Sequence, residues 1–186
     1  MRTSYLLSAG ARTVRAGACP VLFAVASVSL VEPALAETVN FNARIQVTIP
    51  RGDLCPGGAL ICGAAMIAGF GSAEYRFTVT SLEASPGACS GPGRTAVGGA
   101  YLATTTFTLS DGSVLEASEE GVVCGPGLSL EAPASWRTFG NPVDGNGHWV
   151  IQSATGQFAG LTGGGTDSFH TAGANFSATY TGSLQR

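Results

Sequence analysis

The sequence predicts an all-β fold, arranged as a single antiparallel β-barrel of about eight strands, with a β-sandwich as the alternative. First, apolar and polar side chains alternate along several segments, as they do in a strand with one buried face. Second, short turn signals rich in Gly, Asp and Ser separate these segments. Third, strong helix formers are scarce, threonine is abundant, and no window shows a helical period.

The two terminal strands show the alternation most clearly. In residues 39–49 the odd positions are apolar and the even positions are polar. Residues 74–80 and the C-terminal segment alternate in the same way. The apolar positions of the C-terminal segment are Phe176, Ala178, Tyr180 and Leu184. Each of these segments is therefore predicted to be a strand with one face in the core.

Turn signals place the remaining strands and connect them as a meander. The Asp111-Gly112 pair predicts a tight hairpin, and glycines near residues 70–72 and 172–174 mark two further turns. The run 125–147 is rich in Pro and Gly and is predicted to be a long loop within the domain. The predicted strands are 39–49, 64–69, 74–84, 98–109, 113–123, 148–153, 166–171 and 175–184.

The first 36 residues have the pattern of an export signal. Three arginines precede an apolar stretch over residues 18–31, which is too short to span a bilayer of about 30 Å as a helix. The small-x-small pattern that follows favours cleavage between Ala36 and Glu37. We expect residues 1–36 to be a signal peptide and residues 37–186 to be the β-barrel domain, secreted or periplasmic and not attached to a membrane. An uncleaved anchor helix is the alternative.

Four cysteines, Cys55, Cys62, Cys89 and Cys124, remain after removal of the predicted signal. An even number of cysteines in an exported chain predicts two disulfides. A meander places all four at one end of the barrel, which leaves the three possible pairings open. Closure of the shortest loop then favours Cys55–Cys62 and leaves Cys89–Cys124 as the second pair.

Charge and motif content argue against several kinds of partner. The chain has a formal net charge of −3 and no lysine, so it lacks the positive patch that nucleic-acid binding requires. The glycines at 163–165 do not form a phosphate loop, because neither a lysine nor a helix start follows them. Cysteine and histidine spacing does not match a zinc site. We predict no cofactor, no metal and no nucleic-acid partner.

Candidate catalytic groups are few. His148 and His170 are the only histidines, and both are expected on the surface. Asp144 lies four residues before His148, but no serine lies in a Gly-x-Ser-x-Gly elbow. We therefore predict no catalytic residue.

One acidic cluster lies on the predicted strand 113–123. Glu116, Glu119 and Glu120 could serve glycoside hydrolysis, or calcium binding together with Asp111. A solvated strand face explains the cluster more simply, and this is the interpretation we carry forward.

A glycine-rich segment at residues 154–165 is the most distinctive motif in the chain. Its marker residues are Gly156, Phe158, Gly160 and Gly163. We expect Phe158 to anchor in the core, and the flanking glycines to form the tight connection between strands 148–153 and 166–171.

This segment, with Trp149-Val150-Ile151 before it, resembles the Gly-Thr-Gly-x-Phe-x-Gly-Ala-x-Gly segment of the allene oxide cyclase and dirigent barrel superfamily. It is still more similar to small exported bacterial proteins that share the segment. Tyr180-Thr181-Gly182 suits the closing strand of those proteins. Ala154 replaces the first glycine, Leu161 replaces the alanine, and the four cysteines are an addition.

The resemblance implies an eight-stranded barrel around an apolar pocket, and no catalytic position of the superfamily aligns with a residue here. Our first hypothesis is an exported, non-catalytic barrel that binds a small hydrophobic ligand or a cell-envelope partner. The second is a barrel enzyme of the cyclase or isomerase kind acting on an apolar substrate. The third is a surface adhesion module, since residues 51–53 are the Arg-Gly-Asp tripeptide that integrins recognise.

Overall fold

The computed structural model describes residues 37–48, 55–85, 87–89, 97–126 and 142–186. The predicted signal peptide, including Ala36, and the tripeptide at residues 51–53 lie outside the described residues. Within the described ranges, no helix is long and apolar enough to cross a membrane.

The described residues form a closed antiparallel barrel of eight strands. Each strand pairs with its neighbours in the chain, and β1 pairs with β8 along its whole length to close the barrel. The β1–β2 pairing is the shortest, over Ala43–Ile45. The predicted all-β barrel is confirmed, and the sandwich alternative is excluded. The strands are β1 Thr38–Thr48, β2 Ile61–Ile67, β3 Gly71–Ala84, β4 Val97–Leu109, β5 Val114–Gly125, β6 Val143–Ala154, β7 Thr162–Ala172 and β8 Asn175–Gln185.

Side-chain alternation fills the barrel interior. In β1, Phe41, Ala43 and Ile45 point inward and are buried, as the odd-numbered apolar pattern predicts. The four apolar positions near the C-terminus are buried in the same way. Burial of one large apolar side chain contributes roughly 1.5–3 kcal/mol, so the inward faces supply most of the stabilisation of the barrel.

Strands β6 and β7 begin earlier than the sequence predicts, because their first halves are rich in glycine. β6 starts at Val143 and β7 at Thr162, so residues 143–147 are strand and not part of a long loop. Glycine has a low strand propensity and normally signals a turn. Here it provides room for a large neighbour: a Cβ on Gly145 would overlap the ring of Phe169.

Both disulfides lie at one end of the barrel and have the predicted pairing. Cys55 is joined to Cys62 with a Cα–Cα distance of 6.0 Å, and Cys89 is joined to Cys124 at 5.6 Å. The first closes the turn that leads into β2. The second ties the segment after β3 to the end of β5.

The opposite end of the barrel is plugged by Phe158. This side chain is fully buried in a single 3-10 turn, Gly156–Phe158, and its ring centroid lies 4.7 Å from that of Phe70. Gly156 and Gly160 have φ angles of 58° and 80°, which favour glycine, so they form the connection as predicted. Gly163 differs from the prediction, because it belongs to β7 and not to the connection.

Candidate functional site

Polar side chains from five strands meet inside the barrel, and we call them the interior polar cluster. Each lies on the inward face of its strand, because it is an even number of residues away from the buried apolar residues of the same strand. All are at most 5% exposed. The members are Tyr75 on β3, Tyr101 and Thr105 on β4, Glu119 on β5, Asp167 on β7 and Tyr180 on β8.

The strand register explains why these groups meet. One inward row crosses the sheet from Tyr101 through Gly121 and Gly147 to Asp167 and then Tyr180. The two glycines in the middle of the row have no side chain, so the long side chains on either side extend across them. The Tyr101 hydroxyl lies 3.4 Å from Asp167 Oδ2 as a result.

Glu119 is the acceptor at the centre of the cluster. Its Oε1 accepts a hydrogen bond of 2.8 Å from the Tyr101 hydroxyl. Its Oε2 accepts one of 2.8 Å from the Thr105 hydroxyl and one of 2.9 Å from the Tyr180 hydroxyl. The Tyr75 hydroxyl lies 3.0 Å from the Tyr180 hydroxyl and extends the network to β3.

Asp167 is much less well satisfied than Glu119. Its Oδ1 is buried and has no hydrogen-bond partner. The hydrogen bond that its Oδ2 accepts from the Tyr101 hydroxyl is long, at 3.4 Å. A buried polar oxygen without a partner normally costs about 1–3 kcal/mol, and more when it is charged. The two carboxyl groups of the cluster therefore differ sharply in environment.

Burial raises the pKa of both carboxyl groups. Desolvation is the largest cause for Asp167, and the charge of Glu119 adds to it, so that its pKa rises to about 8. Desolvation also raises the pKa of Glu119, although the hydrogen bonds from Thr105, Tyr101 and Tyr180 act in the opposite direction. Burial raises the pKa of the three tyrosines as well, so their hydroxyls stay protonated and can donate.

The space around the interior polar cluster is filled by aromatic side chains. The Phe41 and Trp149 rings lie 5.1 Å apart, and the Phe107 and Tyr180 rings 5.5 Å apart. The aromatic residues that fill the interior, each at most 2% exposed, are Phe41, Phe77, Phe107, Trp149 and Phe176. The described interior thus holds packed side chains where the superfamily resemblance implies a pocket.

An apolar groove of about 460 Å³ lies on the outer surface of the barrel, over β3 to β6. Ala100, Leu102 and Val122 line it, and Leu102 is 51% exposed. Glu120 and His148 line it as well. We call this feature the outer groove.

The predicted acidic cluster is divided between the two faces of β5. Glu120 is exposed and Glu116 half-buried on the outer face, whereas Glu119 is only 2% exposed and points inward. The interpretation of the whole cluster as a solvated strand face is therefore wrong for Glu119. The sequence feature that indicates its burial is its position on the strand, since Glu119 alternates in phase with Leu115 and Ala117, which are both buried.

The two histidines are on the surface, and one of them has a carboxylate partner. His170 Nδ1 lies 2.7 Å from Asp144 Oδ1, because β6 and β7 place these residues directly opposite each other. Asp144 is only four residues before His148 in the sequence, but His148 lies opposite Thr166 on β7. The strand register, and not the four-residue spacing, decides which pair forms.

Ser177 on β8 lies opposite His170, so Asp144, His170 and Ser177 form a row on the outer face. All three strands are paired in regular ladders there, and their backbone N–H groups are used for strand pairing. The row consequently lacks the pair of N–H donors that would bind an oxyanion.

In the parts of the chain that the structure describes, no group of three or more His, Cys, Asp or Glu residues is placed to hold a metal ion. The interior polar cluster offers two carboxyl groups and four hydroxyls, which can share and hold protons. We take this cluster and the outer groove as the two candidate sites.

Comparisons with protein-family models, with curated proteins and with solved structures gave no match for this chain.

Proposed function

We propose that this protein is an exported, non-catalytic β-barrel that binds a cell-envelope partner through its outer surface. The observation that carries the proposal is the filled interior. Five aromatic side chains and the Phe158 plug occupy the described interior, and the polar groups there are hydrogen-bonded mainly to each other. Small-ligand sites are normally open pockets with a few convergent polar groups, so the outside of the barrel is the better candidate for binding.

The outer groove supplies a surface with suitable chemistry. Leu102, which lines the groove, is 51% exposed on the outer face of β4. The carboxylic residues Glu83 and Glu120 line the groove as well. A partner that presents an apolar side chain flanked by basic groups fits this pattern.

Export is supported by three features of the chain. The N-terminal 36 residues have a signal-peptide pattern, and the barrel carries two disulfides, which persist in oxidising compartments. The lysine-free, Ala- and Gly-rich composition suits a bacterial envelope protein. The expected location is secreted or periplasmic.

Site-specific photo-crosslinking in the host tests the proposal. A crosslinking residue in place of Leu102 should give one discrete adduct, and the same residue in place of exposed Ser177 on β8 should not. Leu102→Glu should abolish co-purification of the partner identified by the adduct. Adducts of equal yield at both positions, or none at position 102, would contradict the proposal.

Native mass spectrometry of the protein purified from its host separates this proposal from an interior ligand site. We expect the mass of the processed chain with two disulfides and no bound small molecule. A stoichiometric lipid or metabolite would instead support a barrel that binds its ligand inside.

The interior polar cluster favours a second candidate, a barrel enzyme of the cyclase or isomerase kind. Buried carboxyl and hydroxyl groups are the usual agents of acid–base catalysis, and the glycine-rich segment resembles that of the allene oxide cyclase and dirigent superfamily. Incubation with an apolar fatty-acid epoxide tests it. Turnover that is lost in Glu119→Gln and kept in Glu120→Gln would favour the enzyme; absence of turnover in the wild type would exclude this substrate class.

The adhesion hypothesis is a separate proposal that depends on residues 51–53, outside the described part of the chain. Cell attachment that is lost in Asp53→Glu would support it, and unchanged attachment would exclude it.

A further inference from the structure

The interior polar cluster contains too few hydrogens to satisfy two ionised carboxylates. Each of its four hydroxyl groups has one hydrogen to donate. The hydroxyls of Tyr101, Thr105 and Tyr180 lie 2.8–2.9 Å from Glu119 and donate to it. The Tyr75 hydroxyl lies against that of Tyr180 and donates there. No hydroxyl hydrogen of the cluster is left for Asp167.

This count assigns different protonation states to the two carboxyl groups. Glu119, with three donors, is satisfied as an anion. Asp167, with an unpartnered Oδ1 and 95% of its surface buried, would be an unsatisfied second anion beside the first. Two buried carboxylates in hydrogen-bonding contact cannot both ionise without a large cost. One added proton removes the repulsion and supplies the missing hydrogen.

We propose that the folded barrel binds one proton at Asp167, held against ionised Glu119, and that this retained proton makes the barrel progressively less stable relative to the unfolded chain as the pH rises. This proton-binding site is separate from the proposed surface function and does not depend on it. It requires no ligand other than the proton.

The groups that face Asp167 from the surrounding strands support a single-proton site. β3, β4 and β8 contribute the hydroxyls of Tyr75, Tyr101, Thr105 and Tyr180, and β5 contributes the carboxyl of Glu119. β6 contributes the backbone of Gly147 and no titratable side chain on this face. The described arginines are exposed or half-buried, so no guanidinium within the described ranges compensates a second negative charge inside the barrel.

The direction of the pH dependence follows from the pKa of Asp167. Its pKa in the folded barrel is about 8, compared with an ordinary value of 3.8, so the folded chain keeps a proton that the unfolded chain releases. The stabilisation is fully present below pH 4 or so and is lost as the pH rises to about 8. Within that window the unfolding constant rises by up to about tenfold per pH unit.

Equilibrium unfolding in urea at a series of pH values from 5 to 9 tests the proposal. For the wild type, the unfolding constant should rise with pH up to about 8 and then level off. Asp167→Asn, which is neutral at every pH, should remove most of this rise. Asp111→Asn is the matched control, because it makes the same change at an exposed aspartate whose lowered pKa lies below the tested range, so the shape of the wild-type profile should be kept.

Carbon-13 NMR of the wild-type carboxyl groups provides the direct measurement and does not require the variant to fold. The chain has four aspartates, at positions 53, 111, 144 and 167, so selective labelling gives few signals. We expect one aspartate signal to titrate near pH 8, and to be missing from Asp167→Asn if that variant folds. All aspartates titrating near pH 4, or an unfolding profile in Asp167→Asn identical to that of the wild type, would overturn the proposal.

Discussion

Gly147 shows how much of the interior depends on a missing side chain. It lies between Gly121 and Asp167 in the inward row, and no other residue type leaves this space open. A Cβ at this position would lie 2.7 Å from the Tyr101 hydroxyl and 2.8 Å from Asp167 Oδ1. The contact between the two sides of the interior polar cluster exists because this position carries only hydrogen.

Gly147→Ala should therefore destabilise the barrel. The added methyl group must displace Tyr101, Asp167 or the β5 backbone, and overpacking of this kind typically costs about 1–3 kcal/mol. Chemical denaturation should show a lower midpoint with an unchanged m-value. Asn146→Ala, one residue earlier on the exposed face, is the control and should stay within about 0.5 kcal/mol of the wild type. Equal effects of the two variants would contradict the argument.

Glu119→Gln should be more damaging than its conservative appearance suggests. In the wild type, both carboxylate oxygens of Glu119 accept hydrogen bonds. The glutamine amide keeps one acceptor oxygen and replaces the other with an NH2 group. At least one buried hydroxyl then loses its acceptor, at a cost of about 1–3 kcal/mol. Glu120→Gln, on the exposed face of β5, should change the free energy of unfolding by less than about 0.5 kcal/mol. Thermal unfolding of the two variants side by side provides the comparison.

At the scale of elements, the connection between β6 and β7 closes one end of the barrel with the Phe158 plug, and the residues that form it are neighbours in the sequence. Glycines at its two bends allow a short turn, and the aromatic side chain between them enters the end of the barrel. Phe158 contacts Phe70 from the β2–β3 turn, so the plug joins two connections that are distant in sequence.

Phe158→Ala should open this end of the barrel and lower stability by about 3–5 kcal/mol, because a fully buried aromatic ring is removed. Val150→Ala removes an apolar group that is 52% exposed and should cost far less. Urea denaturation measures both changes. A small effect of Phe158→Ala would show that the end of the barrel closes without the plug.

At the scale of the whole molecule, strand pairing and disulfides both hold the barrel together. The β1–β8 ladder closes the sheet, and the two disulfides tie the connections at one end. The two crosslinks differ in span, since Cys55–Cys62 separates residues by 7 positions and Cys89–Cys124 by 35.

Replacing both cysteines of one pair with alanine should reveal this difference in span. The chain-entropy model gives about 4 kcal/mol for the loop closed by Cys89–Cys124 and about 2 kcal/mol for the loop closed by Cys55–Cys62. The double variant Cys89→Ala/Cys124→Ala should therefore have the lower melting temperature, as measured by circular dichroism. The reverse order would show that the shorter crosslink holds structure beyond its own loop.

The fold class and the disulfide pairing were predictable because their causes are local. Alternation along β1 and β8 depends only on the two-residue period of a strand, and loop length favours Cys55–Cys62. Strand starts in β6 and β7 were missed because Gly145 and its neighbours carry the composition of a turn. Gly145 leaves space for the ring of Phe169, which lies on the neighbouring strand β7, so this role cannot be inferred from the β6 sequence alone.

The sequence by itself determined an all-β fold of about eight antiparallel strands, the crosslinked end and the Phe158 plug, since each follows from residues close together in the chain. It left a sandwich open beside the barrel, and the pairing of β1 with β8 decided between them. Only the tertiary structure decided that Glu119 and Asp167 share one environment and that Asp144 meets His170. The physical reason is the strand register. A partner on a neighbouring strand is set by how the closed sheet is staggered, and that stagger is a property of all eight strands together.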